Sequence, residues 1–176
     1  MTAAVNILNE FGLADLSMRR IAAALDVRPG ALYWHVENKQ SLLAAVAEEI
    51  LAGLDRPTGP DPGAIAAYAR SLRAHLLAHR DGAEVVSAVL AMRLPTRSPV
   101  TELAGALQAR PMGVPTADAA AALIVHFVIG HTLDCQGYAQ SRALGVTEGT
   151  AEDFEARFTI GLEFLLTATA PAGDQR

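Results

Sequence analysis

Residues 16–47 read Leu16-Ser17-Met18-Arg19-Arg20-Ile21-Ala22-Ala23-Ala24-Leu25-Asp26-Val27-Arg28-Pro29-Gly30-Ala31-Leu32-Tyr33-Trp34-His35-Val36-Glu37-Asn38-Lys39-Gln40-Ser41-Leu42-Leu43-Ala44-Ala45-Val46-Ala47. Ser17 is an N-cap residue type, and Met18, Ile21, Ala22 and Leu25 follow it at the spacing of one helix face. The position for a capping-box glutamate is taken by Arg20, so the cap is one-sided. Asp26-Val27-Arg28 is a tight connection, because Pro29 is favoured at a first helical position and excluded from a helix interior. A short third helix is expected over 29–36. Asn38 can cap a fourth, whose apolar Leu42, Leu43, Val46, Ile50 and Leu54 run for about four turns. Ahead of the stretch, Ala4, Val5, Leu8 and Phe11 form the face of a supporting helix stopped by Gly12. Two short helices with a three- or four-residue turn behind a supporting helix make a helix-turn-helix pattern.

The surface of the third helix gives that pattern a function. Leu32 and Val36 can face the core, which leaves Gly30, Ala31, Tyr33, Trp34 and His35 outward. A Gly-Ala pair beside three amphipathic rings is an odd face for water. It suits a DNA major groove about 12 Å wide, where small residues permit close approach and ring edges reach thymine methyls. Residues 1–47 balance four basic groups (Arg19, Arg20, Arg28, Lys39) against four acidic ones (Glu10, Asp15, Asp26, Glu37). Charge alone therefore does not mark the segment as nucleic-acid binding, and the formal net charge of −5 for the chain points the other way.

Outward from this segment, residues 55–63 hold three prolines and two glycines and read as a linker. Helices are expected at 64–79, 82–92, 99–110, 116–140 and 151–169. The division is thus a DNA-binding domain at 1–47, a connecting helix and linker at 48–63, and a second domain at 64–176. The 176 residues include 35 alanines, and aromatics make up 5%. Alanine is the best helix former and strands favour other types, so the fold class expected is all-α. Helix 116–140 is apolar almost all round its middle, and helix 151–169 carries Phe154, Phe158, Ile160, Leu162, Phe164, Leu165 and Leu166. Such helices need covering on every side, and self-association into a two-fold homodimer through these two is the economical solution.

The most apolar run, Ala119 to Ile129, has 11 residues and contains His126, against the roughly 18–20 a bilayer needs. No membrane span is expected. The amino terminus shows no secretion signal and Cys135 is the single cysteine, which fits a reducing cytoplasm. His75 and His79 stand four apart without a third ligand of matching logic, so no metal or other cofactor is expected. Cys135 lies four residues after His131 with nothing nearby that suggests an oxyanion site, and no catalytic or phosphate-loop motif occurs. An enzyme is not indicated.

Residues 16–47 resemble the helix-turn-helix of the tetracycline-repressor family, most specifically in Leu32-Tyr33-Trp34-His35-Val36 and Lys39. His79-Arg80-Asp81-Gly82-Ala83, Gly161-Leu162-Glu163, and His126-Phe127 with Gly130 are similar to the tetracycline repressors themselves. The resemblance covers about residues 3–168, with 90–115 poorly matched. It implies a ligand-responsive transcriptional repressor that binds a palindromic double-stranded DNA operator as a homodimer. Arg28, Gly30, Ala31 and Tyr33 would meet base edges or the nearby sugar-phosphate, and Arg19, Trp34, His35 and Lys39 would hold the backbone. Lys39 also falls in the first turn of a helix, where free N–H groups already attract phosphate.

In tetracycline repressors, a histidine seven residues beyond that of the His-Arg-Asp-Gly run coordinates drug-bound magnesium. Val86 occupies that position here, and a valine offers no lone pair to a metal. Asp134 retains the acidic type on the long helix. The implied small-molecule effector is therefore largely apolar, bounded by Tyr68, Leu72, Val86, Val89, Met92 and Ile129, with Asp55, His75 or His126 as polar anchors. The alternative from a different class is a helical protein that binds a small molecule or partner helix without reading DNA.

Overall fold

The computed structural model describes residues 1–94, 97–147 and 153–169, and among them every regular element is helical. The all-α expectation is met. Nine α-helices follow in order: α1 (Thr2–Phe11), α2 (Met18–Ala24), α3 (Pro29–Leu32), α4 (Lys39–Ile50), α5 (Pro62–Leu77), α6 (Gly82–Ala91), α7 (Pro99–Leu107), α8 (Val114–Ala143) and α9 (Phe154–Ala168). A 3-10 turn at Leu13–Asp15, not foreseen, joins α1 to α2. Residues 95, 148–150 and 151–152, which the sequence reading assigned to connections and the start of the last helix, lie outside the described residues.

Local chemistry accounts for the helix starts. The Ser17 side chain accepts from the Arg20 amide, Asn38 from Ser41, Ser98 from Thr101 and Asp153 from Ala156. Proline sits in the first positions of α3, α7 and α8, where its missing N–H costs nothing. The third helix is shorter than the 29–36 expected. After Leu32 the chain closes two further turns, with the His35 and Val36 amides both donating to the Leu32 carbonyl.

The chain forms two compact units that do not follow the linker. The first contains residues 1–53 and 75–97. Its core is Ala4, Ile7, Leu8, Leu16, Ile21, Leu42, Val46 and Ile50, joined by Val85, Val86 and Val89, as α6 packs on α4. The second contains residues 54–74 and 98–176, and here α7 and α9 pack on α8 around Leu72, Leu103, Leu107, Ile124, Val128, Phe158 and Leu162. Residues 75–97 were expected with the second domain; the contacts place them in the first unit.

Helix α8 has 30 residues and is long and apolar enough to cross a bilayer by length and composition, which the 11-residue reading of its middle understated. Its Ala117, Ala121, Ile124, Val125 and Val128 are instead buried against its neighbours, as in the core helix of a folded domain. On α9, Gly161 permits close approach. A Cβ there would lie 2.5 Å from the Phe127 ring, which stacks on Phe158 at 5.5 Å.

Candidate nucleic-acid interface

In the first unit the turn between α2 and α3 is made by Asp26, which adopts a left-handed backbone at φ 53°. The Val27 amide donates to the Ala22 carbonyl across it, closing α2 in the manner usually left to glycine. The chain then leaves at Arg28, the N-cap of α3, and Pro29 starts the helix. Asn38, capping α4 through the Ser41 amide at 2.8 Å, sets Lys39 as the first residue of that helix.

All eight residues expected at DNA are exposed: Arg19, Arg28, Gly30, Ala31, Tyr33, Trp34, His35 and Lys39. Trp34 is 89% exposed and Tyr33 54%, while Leu32 and Val36 turn inward and are half-buried. Nothing lies within 4 Å of where a Gly30 Cβ would sit, so the helix surface at that point is flat and open. The adjacent arginines of α2 separate by role. Arg20 is engaged within the chain at the surface, ion-paired to Asp15 and stacked 3.8 Å over the Phe11 ring. Arg19 stays at the surface, beside Arg20 and Ser17 along an open cleft of about 590 Å³.

A hydrogen-bonded latch, invisible in the local sequence pattern, fastens the start of this region to the α5–α6 turn. Asp81, itself left-handed at φ 56°, accepts from the Leu13 amide at 2.7 Å. Arg80 donates to the Glu10 carbonyl at 2.9 Å, and its own amide donates to Asn9 Oδ1 at 3.2 Å. Gly12 makes the approach possible, since a Cβ there would fall 2.8 Å from Asp81 Oδ2. Nearby His79 is held below its usual pKa, chiefly by burial, with Glu49 opposing and His75 adding to the effect.

The residues expected at an effector divide between the units. His75, Val86, Val89 and Met92 belong to the first, where the two valines are buried, His75 is half-buried and Met92 is exposed. Asp55, Tyr68, Leu72, His126, Ile129 and Asp134 belong to the second. There Tyr68, Leu72 and Ile129 are buried and Asp55 is exposed. The Tyr68 hydroxyl donates to Glu102 at 2.9 Å, and Arg56 stands 3.8 Å from the same carboxylate. Glu102 was missed by sequence reasoning, because its partner lies 34 residues away. His126 and Asp134 line a different place, a groove between α8 and α9 shared with Phe127, Gly130, Arg157 and Ile160. His131, beside that groove, sits among Phe127, Phe154 and Phe158, and its Nδ1 lies 3.6 Å from the Cys135 sulfur. Burial pushes the Cys135 thiol above its usual pKa, a state of low nucleophilicity.

An exposed aromatic face at a helix-turn-helix, followed by a larger helical unit, defines the class: an all-α protein with an amino-terminal helix-turn-helix. The family described as bacterial regulatory proteins, tetR family, matches residues 1–46, and the tetracyclin repressor-like C-terminal domain matches residues 60–148. The chain belongs to the tetR family. It is 43% identical over 90 residues to the tetracycline repressor protein class A from transposon 1721 of Escherichia coli, covering 47% of this chain and 41% of that one. It thus spans about two-fifths of the length of the curated relatives it matches. Its fold is similar to that of Mycobacterium smegmatis BioQ, with a TM-score of 0.85 at 40% identity over 96% of this chain and 94% of the other. BioQ with its natural double-stranded DNA operator is similar at a TM-score of 0.78 and 38% identity, over 96% of this chain and 94% of that one.

Proposed function

We propose that this chain is a ligand-responsive transcriptional repressor, acting in the cytoplasm as a homodimer on a palindromic operator and released by a small, largely apolar molecule. The observation that carries the reading is Trp34, 89% exposed between Tyr33 and His35 and one turn from Gly30 and Ala31. Large rings left in water on the turns that directly follow α3, where Leu32 is half-buried, have a purpose when that segment enters a groove. In this reading residues 1–47 read DNA: Arg28 and Tyr33 meet base edges, Gly30 and Ala31 permit the approach, and Arg19, Trp34, His35 and Lys39 hold the backbone. Phosphate contacts fix the register and groove contacts choose the sequence.

Release follows from the packing within the first unit. Val86 and Val89 of α6 are buried where α6 meets α4, and α4 begins at Lys39. A ligand that binds better when α6 is displaced shifts α4 and the latch at Asp81 together, and only such differential affinity releases the operator. The buried Val86 side chain favours an organic ligand over a metal-bound one.

The test is fluorescence anisotropy on DNA fragments flanking the protein's own gene, at two salt concentrations, beside a scrambled control. Saturable binding roughly 10³-fold tighter than the control, at two chains per site, is the expected result. Equal and weak binding to every fragment overturns the reading in favour of a helical binding protein that does not read DNA.

A further inference from the structure

Within the second unit, one face of the α8–α9 pair is left open and is largely apolar. On α8 the exposed residues Leu123, His126, Gly130, Leu133, Asp134 and Gly137 recur at three- and four-residue steps and so share one stripe. On α9, Ile160 is 67% exposed and Phe164 75%. Between the helices lies the groove of about 500 Å³ that His126, Gly130, Asp134 and Ile160 help to line. Contiguous leucine, isoleucine and phenylalanine of this kind mark an interaction surface. Two glycines add a geometric clue. Glycine is the least favourable residue after proline inside a helix, and a Cβ at Gly130 or Gly137 would meet nothing within 4 Å in the chain itself. Nothing within the protomer requires them.

We infer that a second copy of the chain packs on this face with the two-fold axis passing α8 at Gly130, so that His126 of each protomer meets Asp134 of the partner subunit. The inference rests on the homodimer of the proposed function and adds its register. A two-fold axis perpendicular to a helix makes the two copies antiparallel and sets residue 130 + n opposite residue 130 − n. With the centre at Gly130, an imidazole donor faces a carboxylate acceptor twice, one turn to each side of the crossing. The large Leu123 faces the small Gly137, and the missing Cβ at the centre lets the backbones approach. Centres elsewhere lose this. An axis at His126 sets histidine on histidine, and one at Asp134 sets carboxylate on carboxylate and brings His126 opposite the cationic Arg142. A parallel arrangement sets every residue against itself. Of these arrangements the Gly130 centre is the one that pairs imidazole with carboxylate on both sides, a self-complementary match of the kind a two-fold interface requires.

Two measurements on the full chain test it. In a Cys135→Ser background, protein carrying His126→Cys is mixed with protein carrying Asp134→Cys and oxidised. The mixed disulfide is expected to dominate over both self-disulfides, because self-paired positions lie two turns apart across an antiparallel crossing. Self-disulfides as abundant as the mixed species overturn the register. Separately, sedimentation is expected to show dimer association weakened about tenfold or more by His126→Asp, which sets aspartate against aspartate. The double exchange His126→Asp with Asp134→His is expected to recover to within about threefold. A dimeric wild type whose exchange is not restored overturns the register and leaves the repressor reading standing. A wild type that is monomeric and does not bind operator overturns both.

Discussion

At Gly82 an added methyl group would sit 2.5 Å from the Leu76 carbonyl oxygen and 3.3 Å from the His79 Cβ. The first of these is backbone, in a turn already held by the Asp81 latch, and it has no rotamer through which to yield. Gly82→Ala is therefore expected to lower stability by about 1–3 kcal/mol, the range for forcing a methyl into packed structure. Gly105, inside α7, gives the opposite sign: nothing lies within 4 Å of its Cβ position and the residue is exposed. There Gly105→Ala is expected to add roughly 0.4–1 kcal/mol by restricting the unfolded chain. Urea denaturation of the two variants beside the wild type checks both, and equal effects at the two sites would refute the steric account. Asp81 makes the same point about strain. It holds a left-handed backbone that glycine would take more easily, and its carboxylate earns the position by accepting from the Leu13 amide.

At the scale of elements, the junction of α8 and α9 is organised by His131. Its ring meets Phe158 at 5.2 Å and Phe154 edge-on at 5.9 Å. Its pKa is held below 6.5, first by burial and then by Arg73 and Arg157, against a hydrogen bond at the Phe154 backbone and the Asp134 charge, which raise it. A histidine with a lowered folded pKa takes up its proton more readily when unfolded. Its contribution to stability is thus complete above about pH 6.5 and is lost as pH falls through the lower folded value. The denaturation midpoint is expected to drop between about pH 7.5 and about pH 5, and to drop less in His131→Phe, which keeps the ring and removes the titration. His79, lowered for the same leading reason, retains its share of the slope in that variant. An unchanged slope in His131→Phe would remove His131 from the account.

How far these elements were legible follows from the range of the forces involved. Ser17, Asn38 and Pro29 act within three or four residues, so they marked their helix starts in the sequence itself. The left-handed Asp26 was not legible, since the turn it closes is usually written with glycine. Nor was the grouping of residues 75–97 with the amino-terminal helices, because the Asp81 latch spans 68 residues. The exposed face proposed to meet DNA was legible as a surface because its oddness is local: rings and small residues where a solvated segment would carry charges. The effector residues were harder. Tyr68 is an apolar lining candidate in the sequence, and its hydroxyl's partner, Glu102, is 34 residues away and shows only in the fold.

For the whole molecule the charge balance is the feature to reconcile with the proposed operator binding. The chain carries a formal −5, so its net charge does not favour DNA, and in the proposed reading affinity comes from a few well-placed contacts. In the proposed reading Trp34, Tyr33 and Gly30 supply contact surface and Arg28, Arg19 and Lys39 the phosphate and base partners; all of them are exposed. A dimer presents each group twice, which makes the two kinds of contact separable by salt. Lys39→Ala is expected to weaken binding to operator and scrambled DNA alike and to reduce the salt slope by roughly two, one lost phosphate contact for each protomer. Tyr33→Ala is expected to leave the salt slope nearly unchanged and to reduce the preference for operator over scrambled DNA by about tenfold or more, because a groove contact carries sequence information and releases no counterion. Titrations of both variants at several salt concentrations decide it. A Tyr33→Ala protein with full operator preference would move sequence reading to Arg28, and a Lys39→Ala protein with an unaltered slope would take α4 out of the interface. Either result would recast the proposed control of the operator by α6, since α4 is the element through which that control is proposed to act.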